Sequence, residues 1–516
     1  MVTQLQQTTS ADLETAQKFR AMHIENQQNL SGLSPEDAAF LQNYPEDKRK
    51  KVIRKVDIRL IPMLLFLYLI TYLDKTNIGN AKIEGLLESL HITGDQYNIA
   101  LSIFFIPYIL AEVPSNMILN KFTRPSIYMG SIVLSWGIIM TMTGIVKNFG
   151  GLCAVRVMLG LFEQSWFLPG AILLVSKWYL PDETQTRIAL LYSSAASGGA
   201  FSGLLAFAIA KMDGLGGLEG WRWIFILEGL LTVVMGILCF PLLIDSPALS
   251  GRWLEPDEIR YLELRQIARR VSNTKEYREK HFDPSAFWAV VADWKMYLLI
   301  LGSWSNAVPN YAMKFTMPTI VKSMGFTSAK AQLLTIPPYI CGAVSAWVVA
   351  VFADKHKWRM PFIVGPQLCV VVSFAILFAK AAEIKYNIGL CYFAVCLACT
   401  GMYPIFPGVN AWNVANSAGA AKRAISIGYL ICAGNIGGVV GSYIYQEQEA
   451  PRYPTGYGNS LGFASAGIVA MLTLEFALWS SNKRNARLTE EDVRARYTEE
   501  QLEKMGDRSP LYKYSL

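Results

Sequence analysis

Apolar positions along this chain gather into runs of about twenty residues, each long enough to cross a hydrocarbon core of ~30 Å as an α-helix. Twelve such runs can be placed, near 57–79, 97–120, 126–146, 152–179, 186–211 and 222–244, then near 293–321, 328–352, 360–380, 387–414, 424–446 and 458–480. The runs lack the ten-residue alternation of a membrane β-barrel. The pattern predicts an all-α membrane protein with 12 transmembrane helices in two six-helix halves. Residues 246–290 are charged and separate the two sets of six. The expected organisation is a polar segment over 1–55, a first half over 56–245, a linker over 246–290, a second half over 291–482 and a tail over 483–516.

The halves carry traces of duplication. Pro107-Tyr108-Ile109 in the second span matches Pro338-Tyr339-Ile340 in the eighth, and each is followed by a basic turn closed by proline, NKFTRP at 120–125 and DKHKWRMP at 354–361. Gly198, Gly199 and Gly203 in the fifth span correspond to Gly437, Gly438 and Gly441 in the eleventh. Small residues let helix backbones approach closely in lipid, so these glycines are expected at packing surfaces.

Composition agrees with a membrane protein: 52% of residues are hydrophobic and only 17% charged, against ~25% in soluble domains. The net charge of +7 does not call for nucleic acid, because its basic residues flank the spans. They cluster at Lys48 to Lys55, from Arg252 to Lys280, and at Lys483, Arg484 and Arg487. The positive-inside rule then puts both termini and the linker in the cytosol, although Lys322, Lys330, Lys380 and Lys385 fall on outer loops. No apolar signal segment precedes the first span, and the Asn29 sequon would be cytosolic and unused. All eight cysteines fall within spans, so no disulfide framework is visible, and Cys396-x-x-Cys399 lies in an apolar helix as small-residue packing. The four histidines lie outside the spans, and neither a metal site nor a cofactor is expected. The linker stretch 254–270 and the tail stretch 488–505 have acidic first turns and later basic residues, as surface helices do.

Ionisable groups inside spans cost about 2.5–3.5 kcal/mol each on insertion scales, so they face partners or water-filled cavities. In LYLITYLDKTNIGNA, residues 67–81, Asp74 and Lys75 are neighbours about 100° apart on a helix. One can face a central cavity while the other packs against a neighbouring helix, and for Asp74 a structural pairing stands equal to a functional role. Arg156 and Glu163 lie seven apart, about 10 Å along one helix face. An arginine there can hold a carboxylate through two parallel bonds, and a glutamate nearby can exchange a proton. Pairing of Arg156 with lipid headgroups is the competing reading. Asn306, Asn310 and Lys314 recur every four residues and form a polar stripe on the seventh span. Lys314 is either a second cation for an anionic substrate or a snorkelling lysine. Trp166 beside Glu163 could stack on a substrate ring, with plain packing as the alternative.

The stretches YLDKTNIGNA (72–81), EVPSNMILNKF (112–122), RVMLGLFEQSWFLPG (156–170), GWRWIFILEG (220–229) and WNVANSAGAAKRA (412–424) fall in one order and spacing. This set resembles the major facilitator superfamily, and within it the fungal anion:cation symporters of allantoate, nicotinate and pantothenate. The resemblance spans about residues 55–480 and implies the major facilitator fold. It also implies substrate contacts for Lys75 and Arg156, proton coupling for Glu163, and gating ion pairs for Glu112 and Glu228. Lys314 is not part of the family's pattern; its role as a substrate contact, with those of Asn310 and Trp166 and proton coupling at Asp74, is expected from the residues themselves. Asp354 to Arg359 resembles the superfamily's cytosolic gating motif, while the equivalent Asn120-Lys121 lacks the acidic member and leaves Lys121 to other partners. The drug-antiporter signature of Gly-Pro in the fifth span is absent from SSAASGGAFSG, residues 193–203, which favours symport.

The expectation is therefore a monomeric plasma-membrane carrier for proton-coupled uptake of a small organic anion. Export of an acidic metabolite uses the same fold and stays open. A non-transporting nutrient sensor would need a longer signalling tail than the thirty or so residues here. No nucleophile-base pair, phosphate loop or metal cluster suggests an enzyme.

Overall fold

A computed structural model of the chain describes residues 33–111, 122, 124–163, 170–172, 174, 175, 177–272, 284–356, 358–418, 420–498, 501, 502 and 505–516. Every predicted span contains helix. The main segments are α1 (Glu46–Ile83), α2 (Gly94–Ser102), α3 (Pro125–Thr143), α4 (Phe149–Phe162), α5 (Pro181–Ala210) and α6 (Gly220–Leu242), followed by α7 (Trp294–Ser323), α8 (Ile336–His356), α9 (Pro361–Lys380), α10 (Ile388–Ala415), α11 (Ala420–Tyr443) and α12 (Pro454–Asn485). Eight helices among the described residues are long and apolar enough to cross a membrane. Polar residues dilute α7, and residues outside the description interrupt the second and fourth spans. The largest boundary difference is in α1, which starts eleven residues before the predicted span because the basic stretch from Lys48 continues the same helix.

Local chemistry sets several ends. Thr93 and Gln96 form a reciprocal capping box at the start of α2, each side chain taking the other's backbone N–H at 3.3 and 3.0 Å. Prolines lie inside α7 at 309 and 318 and inside α10 at 404 and 407. Spans tolerate such prolines because neighbouring helices satisfy the freed backbone groups.

Packing within the first half depends on glycine. Gly130, Gly137 and the cap residue Gly144 repeat every seven residues along α3 and face Phe240, Val233 and Ile226 of the antiparallel α6, while Gly229 and Gly236 of α6 face Thr141 and Leu134 of α3. A Cβ on Gly137 would stand 2.6 Å from the Val233 nitrogen, and one on Gly236 2.6 Å from that of Leu134, so the backbones touch where no side chain fits. One core cluster gathers the first half with the linker helix Pro256–Ser272, and a second gathers α7 to α12 with Tyr514 and Leu516 of the tail.

Between the halves the duplicated motifs meet crosswise. Gly199 of α5 lies on the Tyr339 ring of α8, where an added Cβ would stand 2.6 Å from the ring, and Gly438 of α11 lies on the ring of Phe105, just beyond α2 in the second span. Further contacts join the ends of the bundle far from both termini. Lys322 and Ser328 donate to the Ile83 carbonyl at 2.9 and 3.0 Å, Gln332 donates to Glu84 at 3.0 Å, and Ser102 meets Tyr443 at 2.9 Å. Lys82 pairs with Glu447 at 3.8 Å. The halves thus meet at the distal end and around mid-depth.

At the proximal end each half has its own brace. The linker helix holds the first half through Lys55 and Glu258 (2.7 Å) and through Arg265, which reaches Glu183 and the Trp178 carbonyl. The tail holds the second. Asp507 is buried against Lys295 of α7 and against Lys422 of α11, which is 2.7 Å away and also pairs with Asp293 at 2.8 Å. Ser515 donates its N–H to Asn416 and accepts from Trp412, and the Leu516 carbonyl accepts from the Arg359 backbone at 2.8 Å.

Burial alone would raise the Asp507 carboxyl, but attraction and hydrogen bonds from Lys295 and Lys422 outweigh it and hold the group below its ordinary value of 3.8. A depressed carboxylate contributes docking strength that is complete above that ordinary value and fades as pH falls below it. Asp507→Ala leaves two lysines without their shared partner and should cost about 3 kcal/mol of tail docking. Trypsin should then cleave after Arg508 and Lys513 far faster than in the parent protein at neutral pH. An unchanged cleavage rate would dismiss the brace.

Candidate functional site

The charged pair that breaks the first apolar run sits deep in the bundle, with Asp74 2% and Lys75 8% exposed. Their separation around α1 sends them to different neighbours. Asp74 points toward α3 and α6, where it interacts electrostatically with Glu228 and also feels Glu163. The Trp136 indole approaches it short of a full hydrogen bond, and neither carboxylate oxygen has a hydrogen-bond partner among the described residues. Lys75 lies over the ring of Tyr108 in the second span at 5.6 Å and acts on both Glu163 and Lys314.

Arg156 stands two turns into α4 and is buried. Its Nε donates to the Ala100 carbonyl at 3.3 Å, and its guanidinium lies 5.3 Å from the Phe104 ring centre. Those contacts place it inside the bundle, away from a headgroup position. Glu163 caps the end of α4, is also buried, and interacts electrostatically with both Lys75 and Arg156. Its Oε1 has no hydrogen-bond partner among the described residues.

Lys314 enters from the other half. Its ammonium sits 4.3 Å from the ring centre of Tyr72 on α1 and 4.9 Å from that of Tyr311 on its own helix, and the residue is 8% exposed. A snorkelling lysine would run toward the helix end, whereas this one is enclosed by aromatic faces at cation–π distance. The Tyr72 and Tyr403 hydroxyls are 2.6 Å apart and join α1 to α10 beside it. Asn310 donates to Asn306 at 3.3 Å, so part of the α7 stripe satisfies itself.

Glu228, expected in a gating ion pair, has an amide for a partner. Asn77 of α1 donates a short hydrogen bond to its Oε2, and Oε1 has no partner among the described residues. From there a polar chain runs across α1 and α5. The Ser202 hydroxyl donates to Asn77 Oδ1 at 3.2 Å, and Asn80 Nδ2 donates to Ser202 Oγ at 2.8 Å. It ends at a cavity of about 10 Å³ lined by Asn80, Ser202, Thr76, Thr335, Tyr339 and Lys314. That volume suits a single water molecule and in this conformation excludes an organic acid.

Glu112, Lys121 and Trp166 lie outside the described residues, as does the side chain of Asp354. Arg359 sits where the tail binds the loop between α8 and α9. Sequence reasoning missed Asn77, Asn80, Ser202 and the tyrosines at 72, 311 and 403. The asparagines had left a signal, since Asp74, Asn77 and Asn80 recur every three residues and so share a helix face. Ser202 had none, being one of many small residues in its stretch.

Buried charges gathered where two six-helix halves meet describe a carrier, and the model of the Major Facilitator Superfamily matches residues 64–442. The chain belongs to this superfamily. It is 36% identical to the MFS-type transporter cnsO of Penicillium expansum over 99% of this chain and 96% of that one. It is 31% identical to the high-affinity nicotinic acid transporter of Saccharomyces cerevisiae, over 94% and 88%. The proton:xylose symporter XylE of E. coli shares the fold, with a TM-score of 0.62 at 12% identity over 81% of this chain and 95% of that one. As a superfamily member the chain is a multi-pass membrane transporter and not an enzyme. Its fungal relatives agree with the resemblance carried by the motifs.

Proposed function

We propose that this transporter carries a small organic anion together with protons into the cell, across the plasma membrane and with both termini cytosolic. The observation that supports this reading most is the set of three buried cations, Lys75, Arg156 and Lys314, drawn from both halves, two of which act on the buried carboxylate Glu163, while buried Asp74 is Lys75's neighbour in the chain. Desolvated cations favour an anionic guest, and a carboxylate among them can exchange a proton as the guest comes and goes. The nicotinic acid transporter among its relatives is consistent with a carboxylate on an aromatic ring, which the tyrosines around Lys314 would also suit. In this reading Arg156 and Lys75 bind the carboxylate, Lys314 and Asn310 select the rest of the molecule, and Glu163 with Asp74 carries the proton. A monoanion moving with more than one proton brings positive charge inward, so membrane potential adds ~2.3 kcal/mol per charge per 100 mV.

The test is uptake of labelled nicotinate, with pantothenate, allantoate and small dicarboxylates as competitors, in cells expressing the protein. Acid outside should accelerate uptake, and a protonophore should abolish accumulation. Accumulation indifferent to the protonophore would overturn proton coupling. Arg156→Lys should lower apparent affinity at least about tenfold at equal surface expression, because a point charge loses the bidentate geometry. Glu163→Gln should retain exchange of substrate across the membrane yet lose accumulation driven by a pH gradient. Lys314→Ala should reorder the inhibition constants of mono- and dicarboxylates, whereas a lysine with no part in selection would leave their order unchanged.

A further inference from the structure

The polar chain from Glu228 to the cavity has a direction. An ionised carboxylate only accepts hydrogen bonds, so Asn77 must turn its NH₂ toward Glu228 and its carbonyl toward Ser202. The Ser202 hydroxyl, 3.2 Å from that carbonyl, then donates to it, and its remaining lone pair accepts from Asn80 Nδ2 at 2.8 Å. Each choice forces the next. The end result leaves the Asn80 carbonyl oxygen as the end of the chain without a hydrogen bond among the described residues, and Asn80 lines the cavity that Lys314 also lines. All four members are buried, at 3, 0, 1 and 2% exposure from Glu228 to Asn80, so water does not offer an easy alternative partner.

A proton on Glu228 inverts this order. The new O–H forms with a proton taken from solvent and becomes a donor toward Asn77. The Asn77 amide turns half a revolution about its last side-chain bond, offering its carbonyl to Glu228 and its NH₂ to Ser202. The Ser202 hydroxyl then swings to donate to the Asn80 carbonyl. Asn80 in turn presents its NH₂ to the cavity. No other covalent bond forms or breaks, and charge changes only at Glu228.

We propose that Glu228, Asn77, Ser202 and Asn80 form a relay whose hydrogen-bond direction is set by the proton on Glu228. Its two directions turn an acceptor or a donor toward the cavity beside Lys314. With the acceptor outward the cavity satisfies the Lys314 ammonium and repels an anion. With the donor outward Asn80 joins Lys314 in holding one. The relay rests on the reading of proton-coupled anion transport and gives it a physical link between the proton and the anion. Around Glu228, the ionisable group facing it is Asp74 of α1, itself in reach of Glu163. Along α3 the only ionisable side chain is Tyr128; Asp182, Glu183 and Arg187 lie in the first two turns of α5 and Tyr192 in its fourth, and on α6 Arg222 points to the distal loops and Cys239 lies three turns beyond Glu228.

Infrared difference spectra of the purified full-length protein, recorded across an acid–alkaline step with isotope-labelled asparagine, test the relay without a substrate. In the parent protein a carboxylic-acid band and asparagine side-chain amide bands should change together. The isosteric Glu228→Gln should remove both, while any acid band that survives belongs to Asp74 or Glu163 and should move no asparagine band. Ser202→Ala should keep the Glu228 band and lose the Asn80 response. Asparagine bands that stay still in the parent protein, or still titrate in Glu228→Gln, would overturn the relay. In a second arm, competition of nicotinate for uptake should weaken about tenfold from acid to alkaline medium in the parent protein and clearly less in Glu228→Gln, where only the part carried by Glu163 and Asp74 is left. A pH dependence in that variant as large as the parent's would also count against the relay. A protonophore-insensitive transporter with a working infrared relay would instead sink the transport reading alone.

Discussion

The constraint that organises this molecule is the expense of hiding charge in a helix bundle that sits in lipid. Asp74, Lys75, Arg156, Glu163, Glu228 and Lys314 are each at most 8% exposed, and each would be costly on an isolated apolar helix. They become tolerable because four helices converge: Glu163 lies within reach of Lys75 and Arg156, Glu228 takes an amide from Asn77, and Lys314 rests between aromatic rings. Lys314 alone comes from the second half, and its ammonium rests on an aromatic ring contributed by the first. Charge burial is therefore shared between the halves, so their docking and the electrostatics of the site are one problem.

Glycine solves the geometric side of that problem. Along α3 and α6 a seven-residue glycine stripe zips two antiparallel helices into a stiff pair, which holds Glu228 near Asp74. Across the halves, Gly199 and Gly438 receive the rings of Tyr339 and Phe105. The duplicated glycine stretch supplies a socket on each half, and the ring that fills it comes from the other half, once from the repeated Pro-Tyr-Ile motif and once from Phe105 two residues before it, which gives the interface an approximate two-fold character that neither half has alone.

Much of this was legible in the amino-acid sequence because lipid leaves few options. Twelve apolar runs dictate helices. The repeated Pro-Tyr-Ile and glycine motifs announced contacts whose partners only the structure names. The depth of Lys314 was legible from its distance to the end of its span, but the rings that enclose it come from residues 72 and 311, the first of them 242 positions away. Glu228 was expected to meet a cation and meets an amide, since periodicity within one helix cannot say which face of another helix arrives opposite. The docking of the tail was invisible for a related reason: stretch 488–505 has the look of a solvated helix, and the residues that anchor the tail lie beyond it.

The hydroxyl pair of Tyr72 and Tyr403 has a mechanical consequence. Tyr72 lies eleven residues before Ile83, about 16 Å along α1 from the distal contacts. When two rigid bodies rock, points far from the pivot travel and points near it hardly move. The distal bonds to Ile83, Glu84 and Tyr443 are at the rim of such a lever and must break for that end to open. A 2.6 Å bond close to the axle can survive the whole stroke, turning in place like a hinge pin while the rim swings.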